Sequence, residues 1–184
     1  YKRQESFKQL SGQSITLLHV ATHGFYSPLT GHYTAQRSFE EQALSRSGLF
    51  LSGAAASLNM KKIPEDIEDG ILTAKELSKL DLSNLNLAIL SACQTGLGEI
   101  VGDGVFGLQR GFKKAGAQTL LMSLWKVDDT ATQLLMAEFY KNLVSGQNKR
   151  AAFLNAQKYL RSYQNGIYDK PEYWAAFIML DGIH

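Results

Sequence analysis

Residues 85–92 read LNLAILSA, and this apolar run ends directly before the sequence CQTG at residues 93–96. An apolar run of this length is typical of a parallel strand that is buried on both faces of a sheet. Similar runs occur at residues 15–21 (ITLLHVA) and 119–125 (TLLMSLW), and residues 174–180 form a last one. We therefore predict that these runs are strands of one sheet, with residues 85–92 in a central position.

Helical patterns separate the predicted strands. Residues 73–76 (TAKE) form a capping box, which predicts the start of a short helix. Apolar residues at helical spacing predict three further helices, marked by Val105, Leu108, Phe112 and Ala115 before Gly116, by Leu135, Phe139 and Leu143 before Gly146, and by Ala152, Ala156 and Tyr163 before Gly166.

The segments without a clear period are interpreted as loops. Residues 24–70 are expected to be a long loop region with a strand or hairpin near residues 48–53, and residues 94–104 a Gly-rich loop. The alternation of strands and helices predicts an α/β layered fold with a mainly parallel central sheet flanked by helices.

The composition describes one folded domain of 184 residues, of which 45% are hydrophobic, with a net charge of +2. This apolar content excludes a disordered chain, and no apolar run reaches the roughly 18 residues of a membrane span. The sequence has no dense Lys/Arg block, so neither a nucleic acid nor an anionic membrane is favoured as a partner. The single cysteine excludes an internal disulfide and favours a cytoplasmic protein. Because the chain begins at Tyr1, we expect residues 1–184 to be one domain from the C-terminal part of a longer protein.

Polar clusters follow three of the predicted strands. His23-Gly24 follows the first strand, residues 93–96 follow the second, and residues 126–129 (KVDD) follow the third. In α/β sheets, binding and catalytic sites lie at the carboxyl ends of strands. If the first two strands are neighbours, His23 and Cys93 lie side by side at one edge of the sheet. The clusters therefore predict a functional site at this edge.

The lone Cys93 has two interpretations. A cysteine after an apolar strand is most often a small buried hydrophobic residue. Cys93 instead follows its strand beside polar residues. At such a position a nucleophile is exposed on a loop that a rigid sheet holds in place. Its thiol needs a base to form the thiolate, and His23 is the natural base. The N–H groups of Gly24 and Cys93 are candidate donors to an oxyanion, and this chemistry requires no metal or organic cofactor.

Three further polar residues near the strand ends also have alternative interpretations. His19 lies four residues from His23, about 13 Å along a strand, so the two do not share a metal ion. We interpret His19 as a buried, hydrogen-bonded packing residue. Asp128 and Asp129 begin a helix, where Asp is a preferred N-cap. If one of them caps the helix, the other is free to bind a basic substrate side chain.

Longer stretches resemble a known family. Residues 18–24 (LHVATHG) and 90–96 (LSACQTG) resemble the two signature motifs of the CHAT family, caspase-like domains that often follow tetratricopeptide repeats. The similarity continues through residues 47–49 (SGL), 69–74 (DGILTA), 102–105 (GDGV), 123–129 (SLWKVDD) and 173–177 (YWAAF). Because it extends from residue 5 to residue 182, it is more specific than one short motif.

The resemblance implies a caspase- and separase-related fold and a cysteine peptidase dyad. His23 matches the family's catalytic histidine, and Cys93 matches its nucleophile. Asp128 or Asp129 matches an acid that in separases supports binding of the residue before the scissile bond. The implied partners are a protein or peptide substrate and an upstream tetratricopeptide-repeat region. The family's domain usually begins well before the histidine strand, so part of the substrate cleft is expected to lie upstream of this sequence.

Two other functions stay open at this point. A CHAT domain without turnover would act as a signalling or scaffold module, although the intact His23 and Cys93 argue against loss of activity. The spacing of glycines at 96–102 is a weak match to a dinucleotide-binding loop. Lys126 stands where an acid would bind the ribose, and a Walker A lysine is absent. We therefore favour a cysteine endopeptidase that is regulated by an upstream region.

Overall fold

The computed structural model describes residues 2–27, 39–58, 68–91, 98–101 and 104–181. Within these ranges the elements are, in chain order, α1 (Lys2–Lys8), β1 (Leu17–Val20), β2 (His23–Tyr26), α2 (Phe39–Ser45), β3 (Ser47–Phe50), α3 (Ala54–Leu58), β4 (Ile71–Thr73), α4 (Ala74–Leu77), β5 (Leu87–Leu90), β6 (Gly98–Val101), β7 (Gly104–Gly107), α5 (Leu108–Lys114), β8 (Leu120–Ser123), α6 (Asp129–Val144), α7 (Lys149–Ser162), a 3-10 turn (Tyr163–Asn165), α8 (Pro171–Trp174) and β9 (Phe177–Leu180). Cys93 lies outside the described residues, as do residues 28–38 and 59–67 of the expected long loop.

The central sheet contains the four strands that the apolar runs predict. Its spatial order is β1-β5-β8-β9, with β5 parallel to both β1 and β8 and with β9 antiparallel to β8. The predicted mainly parallel sheet, with residues 85–92 in a central position, is therefore confirmed. The last strand begins at Phe177 rather than at residue 174, because Pro171 at the first position of a helix favours the short α8 before it.

Two hydrophobic cores cover the two faces of this sheet. Side chains alternate across a strand, so Ala88 and Leu90 of β5 enter one core while Leu87 and Ile89 enter the other. All four side chains are buried. The first core also contains Phe7, Leu77 and Phe112, and the second contains Leu135, Phe139 and Phe153. Helices therefore flank the sheet on both faces, as the layered fold requires.

A second sheet is formed within the segment that was expected to be mainly loop. The strand predicted near residues 48–53 is confirmed as β3, which pairs antiparallel with β2 on one side and β4 on the other. A Cβ on Gly48 would lie 2.5 Å from the carbonyl oxygen of Leu72 and 2.7 Å from the Phe25 ring. Glycine at this position therefore allows the three short strands to pack closely.

The segment after Cys93 differs from its prediction. Residues 98–107 were expected to be the end of a loop and the start of a helix, but β6 and β7 pair there as an antiparallel hairpin. Val105 consequently lies in a strand, and α5 begins only at Leu108. Glycines are depleted from strands, so their density in this segment hides the β character of the residues between them.

The predicted capping box at residues 73–76 is confirmed. The Thr73 hydroxyl oxygen accepts a hydrogen bond from the Glu76 N–H at 3.2 Å, and the Glu76 carboxylate accepts one from the Thr73 N–H at 3.0 Å. Lys8 of α1, a helix that the sequence analysis did not predict, contacts the same carboxylate at 2.9 Å. The buried Gln4 accepts a hydrogen bond from the Gly70 N–H and donates one to the Ile71 carbonyl. These contacts hold α1 against the start of β4.

Candidate functional site

The strands that precede the two signature motifs end side by side. Val20 and Leu90 are register partners at the ends of β1 and β5, and paired strands lie about 4.8 Å apart. The chain then reaches β2, which begins at His23, while Ser91 follows β5. The prediction that these two strands are adjacent and parallel is confirmed. The distance between His23 and Cys93 stays a prediction, because Cys93 lies outside the described residues.

A cleft of about 440 Å³ opens at these strand ends. His23, which is exposed, and Ser91, which is half-buried, both line this cleft. The rest of its lining comes from β1, from the chain between β1 and β2, and from the first half of α6 and the chain before it, with the residues His19, Ala21, Thr22, Val127, Asp129, Thr132, Gln133 and Met136. The cleft therefore joins the ends of the three strands at which the sequence predicted a site.

A second groove lies against the same histidine. It has a volume of about 590 Å³ and is lined on one side by Phe50 and Leu51, and on another by Ala54, Ala55 and Leu58 around α3. His23 lines this groove as well as the cleft. The histidine therefore stands between a cleft that carries a carboxylate and a groove that is mainly apolar.

The backbone N–H of Gly24 points away from the sheet that contains it. Backbone hydrogen bonds alternate along an antiparallel pair, and the Ser27 N–H donates to the Arg46 carbonyl at 2.9 Å. In this register, the backbone N–H and C=O groups of His23 and Phe25 point toward β3. Those of Gly24, which alternates with them, therefore point away from β3. Among the described strands β2 lies at the edge of its sheet, so the N–H of Gly24 points away from β3, toward the side of β2 on which no described strand pairs.

Both ring nitrogens of His19 have hydrogen-bond partners. The Nε2 atom lies 2.8 Å from the hydroxyl oxygen of Ser91, and the Nδ1 atom lies 2.7 Å from the hydroxyl oxygen of Tyr140 on α6. Burial lowers the pKa of His19 below its ordinary value and raises the pKa of the Tyr140 phenol. The predicted hydrogen bonding of His19 is confirmed, but its predicted burial is wrong, since part of the ring is open to the cleft.

Asp128 and Asp129 have different surroundings. Asp128 is the N-cap of α6, where its Oδ1 atom accepts a hydrogen bond from the Ala131 N–H at 2.8 Å. Asp129, in the first turn, lines the cleft together with His23. Of the two alternatives that the sequence left open, Asp128 caps the helix and Asp129 lines the cleft, while binding of a substrate side chain stays a prediction.

Sequence reasoning did not assign a role to Ser91 or Tyr140. Ser91 lies within a signature motif, but its hydroxyl gave no separate signal. Tyr140 follows Thr132 and Met136 at intervals of four residues, which places all three on one face of α6. This spacing is the signal that relates Tyr140 to the cleft. An aromatic residue at such spacing is otherwise interpreted as part of a core.

The described residues contain no group of three or more His, Cys, Asp and Glu side chains that could hold a metal ion. Within the same ranges, no helix combines the length and the apolar character needed to cross a membrane. The expectation that the site works without a metal or an organic cofactor stays a prediction.

Comparison with known proteins agrees with the motifs at these strand ends. The family model described as CHAT domain matches residues 2–182. The chain belongs to the CHAT family. CHAT domains form a caspase-like, peptidase-related family, and the mixed α/β fold with its mainly parallel central sheet agrees with this membership.

Two curated relatives are similar to part of this CHAT domain. "Tetratricopeptide repeat protein 28" of Mus musculus is 34% identical over 110 residues, which are 60% of this chain and 4% of the relative. The protein of the same name from Homo sapiens is 32% identical over 114 residues, which are 62% of this chain and 4% of the relative. The CHAT domain therefore matches only a small share of these long, repeat-containing proteins.

Proposed function

We propose that this CHAT domain is a cysteine endopeptidase in which Cys93 is the nucleophile and His23 is the general base. The observation that carries the proposal is the shared cleft. His23 lines it, and so does Ser91, two residues before Cys93 in the chain. The parallel pairing of β1 with β5 brings both chain segments to the same edge of the sheet.

The chemistry of the proposed reaction needs only side-chain and backbone groups. His23 takes the thiol proton, and the Cys93 sulfur forms a bond to the carbonyl carbon of the scissile peptide. The N–H groups of Gly24 and Cys93 donate hydrogen bonds to the oxyanion, and the outward direction of the Gly24 N–H supports this role. The C–N bond then breaks as the His23 imidazolium gives its proton to the leaving amine. Water attacks the carbonyl carbon of the resulting thioester and passes a proton to His23. The C–S bond then breaks, the acid product leaves, and the His23 imidazolium returns its proton to the Cys93 thiolate.

Asp129 supports a preference for Arg or Lys before the scissile bond. Its carboxylate lines the cleft beside His23, whereas Asp128 is engaged at the helix N-terminus. A cationic side chain that enters the cleft would pair with Asp129 through a charge-assisted hydrogen bond. We assign substrate recognition to Asp129 and a structural role to Asp128.

The place of the domain in a longer protein is part of the proposal. The curated relatives are named for tetratricopeptide repeats and are far longer than this chain. We place the CHAT domain behind such repeats and assign to the repeats the control of access to the cleft.

An electrophilic peptide probe tests the dyad. The probe is an acyloxymethyl ketone that carries Arg next to the reactive carbon, and labelling is measured by intact-protein mass. Wild-type protein is expected to take one label on Cys93, and His23→Ala is expected to prevent labelling. His32→Ala is the matched control, since no motif surrounds that histidine. If His23→Ala is labelled at the wild-type rate, the dyad is wrong, and the signalling or scaffold module becomes the better account.

A further inference from the structure

A chain of hydrogen bonds joins helix α6 to the exit of β5. Its members are Tyr140, His19 and Ser91, with distances of 2.7 Å and 2.8 Å between successive partners. They come from α6, from β1 and from the residue after β5. The hydrogen bonds therefore lie at the edge of the central sheet where β1 and β5 end.

Ser91 links this chain of hydrogen bonds to the segment that contains Cys93. Its hydrogen-bond partner His19 is 72 residues away in the sequence, whereas Cys93 is only two residues away. The backbone N–H of Ser91 also donates to the carbonyl of Val20 at 3.1 Å. The side chain and the backbone N–H of Ser91 are thus both hydrogen-bonded to β1. These two bonds fix the position of Ser91, the residue from which the chain leaves the sheet.

We propose that Tyr140 and His19 are positioning residues for Cys93, which they hold in register with His23 by fixing Ser91 at the exit of β5. This inference rests on the proposed function, because it assigns a role to residues around the nucleophile. Neither residue is a catalytic residue, since each acts through Ser91 rather than on the substrate. The hydroxyl of Tyr140 sets the ring of His19, and the ring sets the hydroxyl of Ser91.

The surroundings of His19 support a neutral ring with a fixed orientation. Burial lowers the pKa of His19, so the neutral form predominates near pH 7. A neutral imidazole has one N–H donor and one acceptor nitrogen, and two hydroxyl partners satisfy both. The ionisable groups that share its surroundings are Tyr140 from α6 and His23 and Asp129 across the cleft. His19 also lines a second pocket, to which α1 and the turn after it contribute Ser6, Phe7 and Leu10, none of them a charged group.

The single cysteine makes the test direct. Iodoacetamide modifies only Cys93, so its second-order rate constant measures the reactivity of this one thiol. We expect Tyr140→Phe and Ser91→Ala each to lower this rate about threefold to tenfold at pH 7, the range for one lost neutral hydrogen bond. The double variant is expected to react no more slowly than the slower single variant, because both substitutions break the same chain of hydrogen bonds.

A matched control separates positioning from general stability. Asn142 is two residues from Tyr140 on α6, where its side chain donates to the Ala152 carbonyl at 3.2 Å and accepts from the Gln147 side chain at 3.3 Å, and it is not among the residues that line the cleft. Asn142→Ala therefore removes two hydrogen bonds from the same helix outside the cleft and is expected to leave the alkylation rate unchanged. The dependence of the rate on pH adds a second readout. Tyr140→Phe is expected to move its rising limb to higher pH, because a displaced thiolate loses stabilisation by the imidazolium of His23.

The outcomes separate this inference from the proposed function. Wild-type rates in both Tyr140→Phe and Ser91→Ala, or multiplicative effects in the double variant, would overturn the positioning role. An unchanged rate in His23→Ala would overturn the dyad instead. Even then, the comparison of Tyr140→Phe with wild type decides the positioning role, since alkylation of Cys93 reports on this chain segment in either case.

Discussion

Val20 lies opposite Leu90 in the parallel pair of β1 and β5, and this register brings the two signature motifs together. His23 is three residues beyond Val20, and Cys93 is three residues beyond Leu90. His23 and Cys93 are therefore the same number of residues beyond one register pair of the central sheet.

The pair Asp128 and Asp129 yields a prediction that separates stability from specificity. Asp128→Ala is expected to lower the free energy of unfolding by about 1 kcal/mol, because it removes the side-chain cap of α6. Asp129→Ala is expected to lower it by only about 0.3 kcal/mol, the low end for an exposed carboxylate in a first helical turn. Urea unfolding followed by circular dichroism measures both values.

Asparagine substitutions at the same two positions are expected to differ in their effect on substrate choice. Asp129→Asn is expected to remove the preference for Arg or Lys before the scissile bond, and Asp128→Asn, which keeps a good N-cap, is expected to retain it. A substrate library that varies this position gives the profiles. A preference for Leu, Met or Asp that neither variant changes would contradict the role of Asp129 and leave the dyad standing.

Glu76 predicts that acid weakens the attachment of α1. Burial alone would raise the pKa of this carboxyl, but hydrogen bonds from Lys8 and Thr73 outweigh it and hold the pKa below the ordinary 4.5. A folded-state pKa below the unfolded one contributes stability that is present above pH 4.5 and is lost as the pH falls through the folded value. Chemical unfolding between pH 6 and pH 3 measures this loss.

Glu76→Gln provides the comparison. It keeps the side-chain length, removes the charge, and is expected to reduce the dependence of stability on pH in this window. Lys141 and Glu138 form an ion pair on α6 at 3.1 Å, so Glu138→Gln is a control of the same chemistry at another place. An equal loss of pH dependence in both variants would show that the contact between Lys8 and Glu76 is not the cause of the pH dependence of stability.

His19 predicts a second pH effect, of the same sign and at higher pH. Burial holds its pKa below the ordinary 6.5, so the unfolded chain binds a proton more readily than the folded one. Stability is therefore fully present above pH 6.5 and falls as the pH is lowered toward the folded value. Nuclear magnetic resonance of the imidazole protons measures the midpoint directly. A midpoint at or above 6.5 would contradict the partial desolvation of this ring by its surroundings.

Gly48 predicts that the middle strand of the second sheet tolerates no side chain at this position. Gly48→Ala would place a Cβ 2.5 Å from the Leu72 carbonyl oxygen, which is backbone and cannot rotate away. We expect a loss of about 1–3 kcal/mol in the free energy of unfolding, as for other overpacked sites. Because β2 carries His23, the rate of Cys93 alkylation is expected to fall as well. An unfolding free energy equal to that of wild type would contradict the close packing of β2 and β4 around β3.

The central sheet was predictable from the sequence because its strands are mainly apolar. Leu87–Leu90 lies between two neighbouring strands and has both faces covered, so every position of this strand is apolar. The capping box at residues 73–76 was predictable for a local reason, since its hydrogen bonds join residues three apart. In both cases the signal and the structure lie in the same short segment.

The second sheet, the hairpin and the hydrogen bonds around His19 were not predictable, because their causes are not local. β4 and β6 have three and four residues and, unlike the equally short strands of the central sheet, do not lie within a longer apolar run. The partners of His19 lie 72 and 121 positions away in the sequence. The division of roles between Asp128 and Asp129 likewise depends on where α6 begins relative to the sheet, which two identical side chains cannot indicate.

The acyl-enzyme tests the central claim, that His23 activates Cys93 as a nucleophile, most directly. The protein is mixed with a peptide methyl ester that ends in Arg, quenched in acid after short times and analysed by intact-protein and peptide mass spectrometry. The account predicts an adduct with the mass of the acyl group on Cys93, which hydroxylamine removes as it does other thioesters. The adduct should be missing in Cys93→Ala and in His23→Ala, and present in His32→Ala. Hydrolysis of the ester that continues in Cys93→Ala, or an adduct that forms at the wild-type rate in His23→Ala, would contradict the account.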